Sequence, residues 1–386
     1  MAAALTSSIT TTTTAAAPRL LLRHARRAAA PRRHLATTTT TETPTITAAD
    51  AAQQILRSPQ GQTTSTRREA LDAHQLQRLS LALGRRHLCP GLDVTSAPPP
   101  AGTPLPPGYH LAYFTPAAVA EADLADDGTD GGGVPRPPPP FVRRVWAGGS
   151  LRWAPGAQPL RVGDVVEERT RLVGAEAKRS RGGSGGGGGG EMVLVEVEKE
   201  FWGPGGLALV DRRSWIFRPP PAVVRGIEEG GKDVGGPAAS GVDGAGGWRR
   251  SRVEDVNVRG PDGAAGVPER ILSWSPVALF RFSALTYNAH MIHYNEGWAT
   301  GVERHPGLVV HGPLNLICML DYFRDKHGRE PRAISYRALS PLYAGDEYSV
   351  RTAASPAGAK RGEGGRAWEI VVARGAEMRW QVNMFL

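Results

Sequence analysis

Two things that the sequence lacks limit what this chain of 386 residues can be. It has only two cysteines, Cys89 and Cys318, which cannot build a disulfide framework, so a reducing compartment is expected. No apolar run approaches the roughly 20 residues that a membrane-spanning helix needs. The longest run, Leu308 to Leu320, is too short and contains His311 and Pro313. The sequence therefore predicts no membrane span.

Acidic residues are missing from the first 41 residues, which contain six arginines. The net charge of the whole chain is +9, so the remainder carries only +3 once these six are subtracted. Basicity is then weak evidence for nucleic-acid binding, and no nucleic-acid partner is expected. A leader rich in Arg, Ala and Thr without acids is typical of a mitochondrial transit peptide and favours the mitochondrial matrix. A disordered basic tail is the alternative interpretation.

Composition divides the chain into four segments. Residues 1–65 are interpreted as a transit peptide and disordered leader, because 37–65 is rich in threonine. Residues 66–220 and 269–386 contain the alternating and helical patterns of two compact domains. Residues 221–268 are rich in Pro and Gly without a consistent period, which predicts a flexible linker.

Several local patterns predict secondary structure. Glu69–Leu83 has helical spacing of its leucines, and Met192–Phe201 alternates as a strand does. Leu207–Phe217 is the expected hairpin partner of that strand across a Gly-Pro-Gly-Gly turn. The glycine run Arg181–Gly190 is interpreted as a flexible loop, in preference to a phosphate-binding loop or an RNA-binding segment.

A short repeat links the two domains. Pro159–Asp164 (PLRVGD) resembles Pro341–Asp346 (PLYAGD), and both lead into alternating strands. The match favours two copies of one fold.

The segment richest in chemistry is Phe280–Leu320. It clusters hydrogen-bonding side chains at Asn288, His290, His293 and Tyr294, and His311-Gly312-Pro313 then opens a helix. That helix is apolar on nearly every side from Leu314 to Phe323, which predicts a buried helix.

The start of this helix is a candidate electrostatic site. Pro313 suits the first helical turn, and Gly328 is a plausible stop. The N–H of Gly312 has no partner within the helix and points along the positive end of the helix dipole. Such a donor can stabilise an enolate oxygen, and a glycine lets a substrate approach the backbone closely.

The segment resembles the MaoC-like dehydratases, whose pattern is Asp-x-Asn-Pro-x-His-x-Asp followed by His-Gly at a central helix. The pattern falls on Asn288–Asn295 and on His311-Gly312. The chain is similar in particular to the hydroxyacyl-thioester dehydratase type 2 and mesaconyl-C4-CoA hydratase branch, which has Asn where other members have the catalytic Asp. Residues 107–114 and 140–149 look like the inactive first hot-dog domain of that branch.

The sequence departs from this branch at two positions. Met291 stands where the branch often has Arg, and Asn295 replaces a common Asp. Neither is the expected base, so they bear on efficiency or substrate choice.

The resemblance implies an α+β double hot-dog fold, two antiparallel sheets each wrapped on a central helix. It implies a hydro-lyase that interconverts (3R)-3-hydroxyacyl and trans-2-enoyl thioesters, in mitochondrial fatty-acid synthesis on acyl carrier protein. A CoA-ester hydratase and a non-catalytic acyl-thioester-binding scaffold are the alternatives. A thioesterase is disfavoured because Asn288 supplies no acid to activate water. The oligomeric state, a monomeric pseudo-dimer or a homodimer, stays open.

Residue roles follow from the resemblance and the chemistry. His293 is the expected base for the C2 proton, Gly312 N–H the donor to the thioester oxygen, and Asn288 the partner of the 3-hydroxyl or water. In the favoured one-base mechanism His293 returns its proton to the leaving hydroxyl on the same face. His290 is the other candidate acid, or orients the loop.

The remaining candidates have two interpretations each. His311 is a candidate for substrate binding or for tying the helix start to a neighbouring backbone, and Tyr294 for lining the acyl pocket or packing. Arg143 and Arg144 could meet a phosphate of CoA or the carrier, although a solvated face is favoured. No metal and no cofactor is expected, since neither cysteine nor acid joins the three histidines at ligand spacing.

Overall fold

The computed structural model describes residues 46–116, 119–133, 135–180, 190–221, 250–258, 266–353 and 367–386. The α-helices in these ranges are α1 (Ala48–Arg57), α2 (Ala73–Ala82), α3 (Pro276–Thr286) and α4 (Gly312–His327). The strands are β1 (Ser65–Ala70), β2 (His87–Cys89), β3 (Leu92–Asp93), β4 (Arg143–Trp153), β5 (Val165–Arg179), β6 (Glu191–Gly203), β7 (Gly206–Arg218), β8 (Arg252–Val258), β9 (Val267–Ser273), β10 (Ala333–Ala338), β11 (Tyr348–Thr352), β12 (Ala367–Arg374) and β13 (Glu377–Phe385). No helix of the described ranges is long and apolar enough to cross a membrane. Most of the predicted leader and nearly all of the glycine run lie outside the described residues.

Eleven of the described strands form one antiparallel sheet that is nearly symmetric about its middle. The order is β1-β5-β6-β7-β4-β10-β13-β12-β11-β9-β8. We call residues 46–221 the first half and residues 250–386 the second half. The two halves meet where β4 pairs with β10, with Leu151 opposite Ile334. Each half presents its strands in the same order outward from this junction, apart from the extra edge strand β8.

The predicted hairpin of the first half is confirmed. Strands β6 and β7 pair directly, and Gly203 faces Gly206 across the turn. Gly206 has φ +98°, a backbone conformation that L side chains rarely adopt. The valines of β6 face the interior, as their alternation predicted.

The predicted buried helix is also confirmed. Helix α4 has every residue from Leu314 to Phe323 buried, and it packs against β11 and β12. It begins with Pro313 in its first turn and ends at Gly328, which is left-handed with φ +60°.

The first half departs from the prediction that each sheet wraps its own central helix. At the corresponding place it has only a short 3₁₀-helix, Tyr109–Ala112, whose four residues are buried. Gly108, the residue before it, has φ +86°, a left-handed conformation that does not continue into an α-helix.

The start of the first half is more ordered than the sequence predicted. The expectation of an unstructured leader to residue 65 is wrong for α1, where the buried residues Ala48, Ala51, Ala52 and Ile55 follow helical spacing and pack against β5 and β6. Thr47 caps this helix by accepting a hydrogen bond from the Asp50 N–H. The helix expected over Glu69–Leu83 is shorter, because β1 precedes it and Asp72 caps α2.

The predicted linker also contains structure. Strand β8 lies within residues 221–268 and pairs with β9 along its whole length at the edge of the sheet. Its exposed edge position explains the weak alternation that hid it in the sequence. The rest of the predicted linker and the domain boundaries remain predictions.

The two half-sheets, with a central helix in the second, have the architecture of the predicted α+β double hot-dog. The structure confirms that Pro159–Asp164 and Pro341–Asp346 occupy equivalent positions in the two halves. Leu105 N–H donates to Leu160 O at 2.7 Å, just as Val310 N–H donates to Leu342 O at 2.8 Å.

Candidate active site

The loop that carries the polar cluster is fixed at the end of α3. Tyr287 ends this helix in the left-handed conformation with φ +50°. The N–H of Asn288 then donates to Ser283 O at 2.8 Å, which closes the helix end. Asn288 Oδ1 in turn accepts from the His290 N–H at 3.1 Å. The side chain of Asn288 therefore shapes the turn that presents His290.

His293 is held in one tautomer. Its Nδ1 lies 2.7 Å from Val309 O, and a carbonyl oxygen only accepts, so Nδ1 carries the proton. The unprotonated Nε2 is then free to act as a base. Burial lowers the pKa of His293 to about 4, and the charge of Arg144 acts in the same direction. The ring is neutral at physiological pH, as a general base must be.

His311 supports His293 from behind. The two rings stack with centroids 3.7 Å apart and planes 18° from parallel. His311 is fully buried, and its Nε2 hydrogen-bonds the side chain of Ser283 at 2.8 Å. Burial holds its pKa well below the usual range. The His311 side chain does not line the cavity that Asn288, His290 and His293 border. It ties the helix start to a side-chain hydroxyl, whereas the sequence predicted either a backbone partner or substrate binding.

Gly312 is the first residue of α4, and it borders the cavity. A Cβ placed on it would lie 3.2 Å from Trp380 and 3.4 Å from Trp146. A side chain would therefore crowd the helix start, where the free N–H groups are.

A cavity of about 900 Å³ brings four of the predicted site residues together: Asn288, His290, His293 and Gly312. Tyr294 lines instead a neighbouring cavity of about 580 Å³, is 40% exposed, and donates from its hydroxyl to Ala289 O at 3.1 Å. Asn288 borders both cavities.

The first half supplies the opposite wall of the main cavity, and part of that wall is charged. Lys199 lies 3.1 Å from a carboxylate oxygen of Glu168 and 2.9 Å from the hydroxyl of Thr170. Arg67 also pairs with Glu168 at 3.1 Å. Burial lowers the pKa of Lys199 to about 8.

The favoured interpretation of Arg143 and Arg144 as a solvated face is wrong. Both side chains line the cavity and are mostly buried, at 20% and 15% exposed. Arg143 pairs with Glu303, and Arg144 donates to Asp130 O at 2.8 Å. β4 carries them into the seam between the halves, where neighbouring carboxyl groups balance their charge.

Sequence reasoning missed Asp127, which lies in the loop of the first half between residues 119 and 133. Its side chain is 8% exposed, and its Oδ2 lies 3.6 Å from His290 Nε2. The signal available in the sequence was indirect. Asn288 stands where the pattern has a carboxylate, so an acid could come from elsewhere, and residues 126–130 contain three aspartates.

Comparisons with known proteins identify the family of the chain. The family model for hydroxyacyl-thioester dehydratase type 2 matches residues 108–232 and 254–344. A mesaconyl-C(4)-CoA hydratase of Chloroflexus aurantiacus is 32% identical over 252 residues, 65% of this chain and 76% of that protein. The mitochondrial hydroxyacyl-thioester dehydratase type 2 of Schizosaccharomyces pombe is 28% identical over 251 residues, 62% of this chain and 75% of that protein.

A solved structure described as a MaoC-like dehydratase shares the fold, with a TM-score of 0.50 and 12% identity over 84% of this chain and 97% of its own. The family match spans more than half of the chain and includes the segment that carries Asn288, His290, His293, His311 and Gly312. The chain belongs to the hydroxyacyl-thioester dehydratase type 2 family.

Proposed function

We propose that the protein catalyses the reversible dehydration of (3R)-3-hydroxyacyl thioesters to trans-2-enoyl thioesters. The observation that carries the proposal is His293, a neutral imidazole with its Nε2 lone pair available, in the same cavity as the open end of α4. Membership of the dehydratase family supports the reaction class.

The first step is removal of the C2 proton. This C–H bond is a weak acid, so the thioester carbonyl must be polarised while the base attacks. Nε2 of His293 accepts the proton, and the electron pair moves toward the thioester oxygen. The Gly312 N–H, at the positive end of α4, stabilises the charge that develops there.

The second step is departure of the 3-hydroxyl. The C2–C3 double bond forms, the C3–O bond breaks, and the oxygen takes the proton that His293 accepted. This one-base route regenerates neutral His293 in each cycle and requires elimination on one face. The Asn288 amide holds the leaving hydroxyl, or the attacking water in the reverse reaction.

The carrier of the acyl group, the location and the assembly are also proposed. A carrier protein of mitochondrial fatty-acid synthesis is the first candidate, supported by the acid-free, arginine-rich leader and by the mitochondrial relative in fission yeast. The leader favours the matrix as the location. Since β4 and β10 already join the halves within one chain, a monomeric pseudo-dimer is the expected assembly, with a homodimer as the alternative.

A second candidate is hydration of a short, polar CoA ester. The observation in its favour is the charged far wall of the cavity, where Arg67, Glu168 and Lys199 are unsuited to a long aliphatic chain. One relative is a mesaconyl-C(4)-CoA hydratase, whose name indicates such a substrate. Rates on acyl thioesters of increasing chain length separate the two candidates.

The test is hydration of crotonyl-CoA and of crotonyl-acyl carrier protein by wild type, His293→Ala and Asn288→Ala. His87→Ala is the matched control, because this histidine of the first half is 60% exposed. Wild type should turn over at least one thioester, and His293→Ala should lose at least about a hundredfold, as for a general acid–base residue. Folded wild type that is inert on both thioesters would contradict the proposal and favour a non-catalytic scaffold.

A further inference from the structure

Asp127 is anchored onto the active-site loop of the other half. Its carbonyl oxygen accepts from the Met291 N–H at 2.8 Å. Its Oδ1 accepts from both the N–H and the hydroxyl of Thr129, at 2.9 and 2.6 Å. Gly128 lets the two loops approach closely, since a Cβ there would lie 2.0 Å from Ala289 O. The carboxyl group is therefore fixed in orientation by its own turn.

The other carboxylate oxygen is aimed at His290. Oδ2 of Asp127 is buried and has no hydrogen-bond partner within the described residues. Its distance to His290 Nε2 is 3.6 Å, and both side chains are less than one-tenth exposed. A buried carboxylate oxygen without a donor is costly. Hydrogen bonds in active sites often tighten only when substrate binds.

Two arginines of the cavity wall have other carboxylates, and Arg136, on which the charge of Asp127 acts, donates to Thr129 O. Arg143 pairs with Glu303, and Arg144 lies beside Asp130. Oδ2 of Asp127 is therefore available to His290 Nε2. Asp127 supplies the carboxylate that Asn288 cannot.

We propose that Asp127 is a positioning residue of the active site, which keeps the proton of His290 on Nε2 and presents the Nδ1 lone pair to the substrate hydroxyl. A carboxylate only accepts, so the ring nitrogen facing it must be the one that carries hydrogen. In dehydration, Nδ1 accepts the hydrogen bond of the 3-hydroxyl while His293 returns its proton to the same oxygen. The departing water then carries its own hydrogen, which is hydrogen-bonded to His290 Nδ1, and the proton from His293. His290 stays neutral. This assignment rests on the proposed function.

The substitution Asp127→Asn tests the assignment because its effect on the tautomer is defined. Oδ1 receives two donors from Thr129, so the amide oxygen must take that place and the NH₂ group the place of Oδ2. The NH₂ group would donate to Nε2 and force the proton onto Nδ1. The tautomers of His290 are distinguishable by ¹⁵N NMR of the full-length, histidine-labelled protein, with His290→Gln to assign the signals.

The expected result is an Nε2–H tautomer for His290 in wild type and an Nδ1–H tautomer in Asp127→Asn, while His293 keeps its Nδ1–H in both. The kcat for crotonyl thioester hydration should fall about 10- to 100-fold with little change in KM, as when the partner that orients a histidine is lost. Asp126→Asn, at the exposed neighbouring carboxylate, should retain wild-type rate and tautomers.

A double-variant comparison completes the test. Asp127→Asn combined with His290→Gln should be no slower than His290→Gln alone, because Asp127 acts through His290. Additive losses, or the same His290 tautomer in wild type and Asp127→Asn, would overturn the assignment. Loss of the proposed function is seen separately, as an inert wild type, and the NMR measurement does not depend on turnover.

Discussion

The two halves of the molecule use the same turn for different purposes. In the first half, Thr103 O accepts from the Val162 N–H at 2.9 Å; in the second, Leu308 O accepts from the Ala344 N–H at 2.8 Å. Each turn then closes on an aspartate, with Asp164 accepting from Arg161 N–H and Asp346 from Tyr343 N–H. The segments after residues 103 and 308 can therefore be aligned residue by residue.

This alignment places Pro107 of the first half opposite Gly312 of the second. Proline carries no N–H, so the first half cannot offer an oxyanion donor at that position. After this position the first half has only a four-residue 3₁₀-helix, whereas the second half has the sixteen residues of α4. The second half thus has the long helix whose first residue borders the cavity, while the first half forms the opposite wall and places Asp127 beside His290.

The largest effect should come from giving the second half the residue of the first. Gly312→Pro removes the N–H, while a proline is tolerated at the start of a helix and His311 already has the extended backbone that precedes proline. Loss of one oxyanion donor should lower kcat for crotonyl thioester hydration about 10²- to 10³-fold. Gly312→Ala is the control, since it keeps the N–H and adds only the contact with Trp380 and Trp146. Equal losses in the two variants would mean that crowding, and not the donor, matters.

The first half should depend on α1 for stability. Ile55 is 2% exposed and packs in the cluster that contains Phe141, Val193 and Trp215. Ile55→Ala should lower the free energy of unfolding by about 2–5 kcal/mol, measured by urea denaturation. Gln53→Ala on the exposed face of α1 should change it little. An unchanged midpoint for Ile55→Ala would show that α1 is not part of the folded core.

Acid should destabilise the protein through the buried histidines of the second half. The pKa values of His290, His293 and His311 are all lowered by burial, so the unfolded chain binds more protons than the folded one below about pH 6.5. Stability is therefore lost as the pH falls from 6.5 toward the folded pKa of about 4 for His293. That residue alone should cost about 2 kcal/mol between pH 7 and pH 5. A urea midpoint that does not fall over this interval would contradict these shifts.

The smallest effect concerns the contact that ties the short 3₁₀-helix of the first half to α4. The hydroxyl of Tyr109 donates to Asp321 Oδ2 at 2.9 Å in the buried core. Tyr109→Phe should lower the free energy of unfolding by about 1 kcal/mol, because Arg324 still donates to the other oxygen of Asp321. Tyr287→Phe, at a tyrosine that is 56% exposed, is the control. Equal stability of the two variants would show that this contact does not couple the halves.

Local patterns predicted much of the second half. The all-round apolar run with Pro313 and Gly328 defined α4, and the pattern around His293 indicated the residues that share the cavity. These features are encoded within a few turns of the chain, where periodicity and capping act.

The missed features depend on distant contacts. Asp127 meets His290 across 163 positions and lies in a loop that is rich in Asp, Gly and Ala, so no local pattern marked it. Helix α1 was hidden by the threonine-rich composition around it, although its four buried positions have helical spacing. The first half was predicted to have a central helix because its resemblance to a hot-dog domain implied one; the short 3₁₀-helix Tyr109–Ala112 follows a left-handed Gly108, which no local pattern indicated.

The most direct test of the account isolates proton removal from elimination. Butyryl-CoA has a C2 proton but no 3-hydroxyl, so it cannot be dehydrated, and exchange of its C2 protons in D₂O reports the base and the oxyanion donor alone. Wild type should catalyse the exchange, Asn288→Ala should retain it, and His293→Ala and Gly312→Pro should lose it. Exchange at the wild-type rate in His293→Ala would contradict the assignment of His293 as the base.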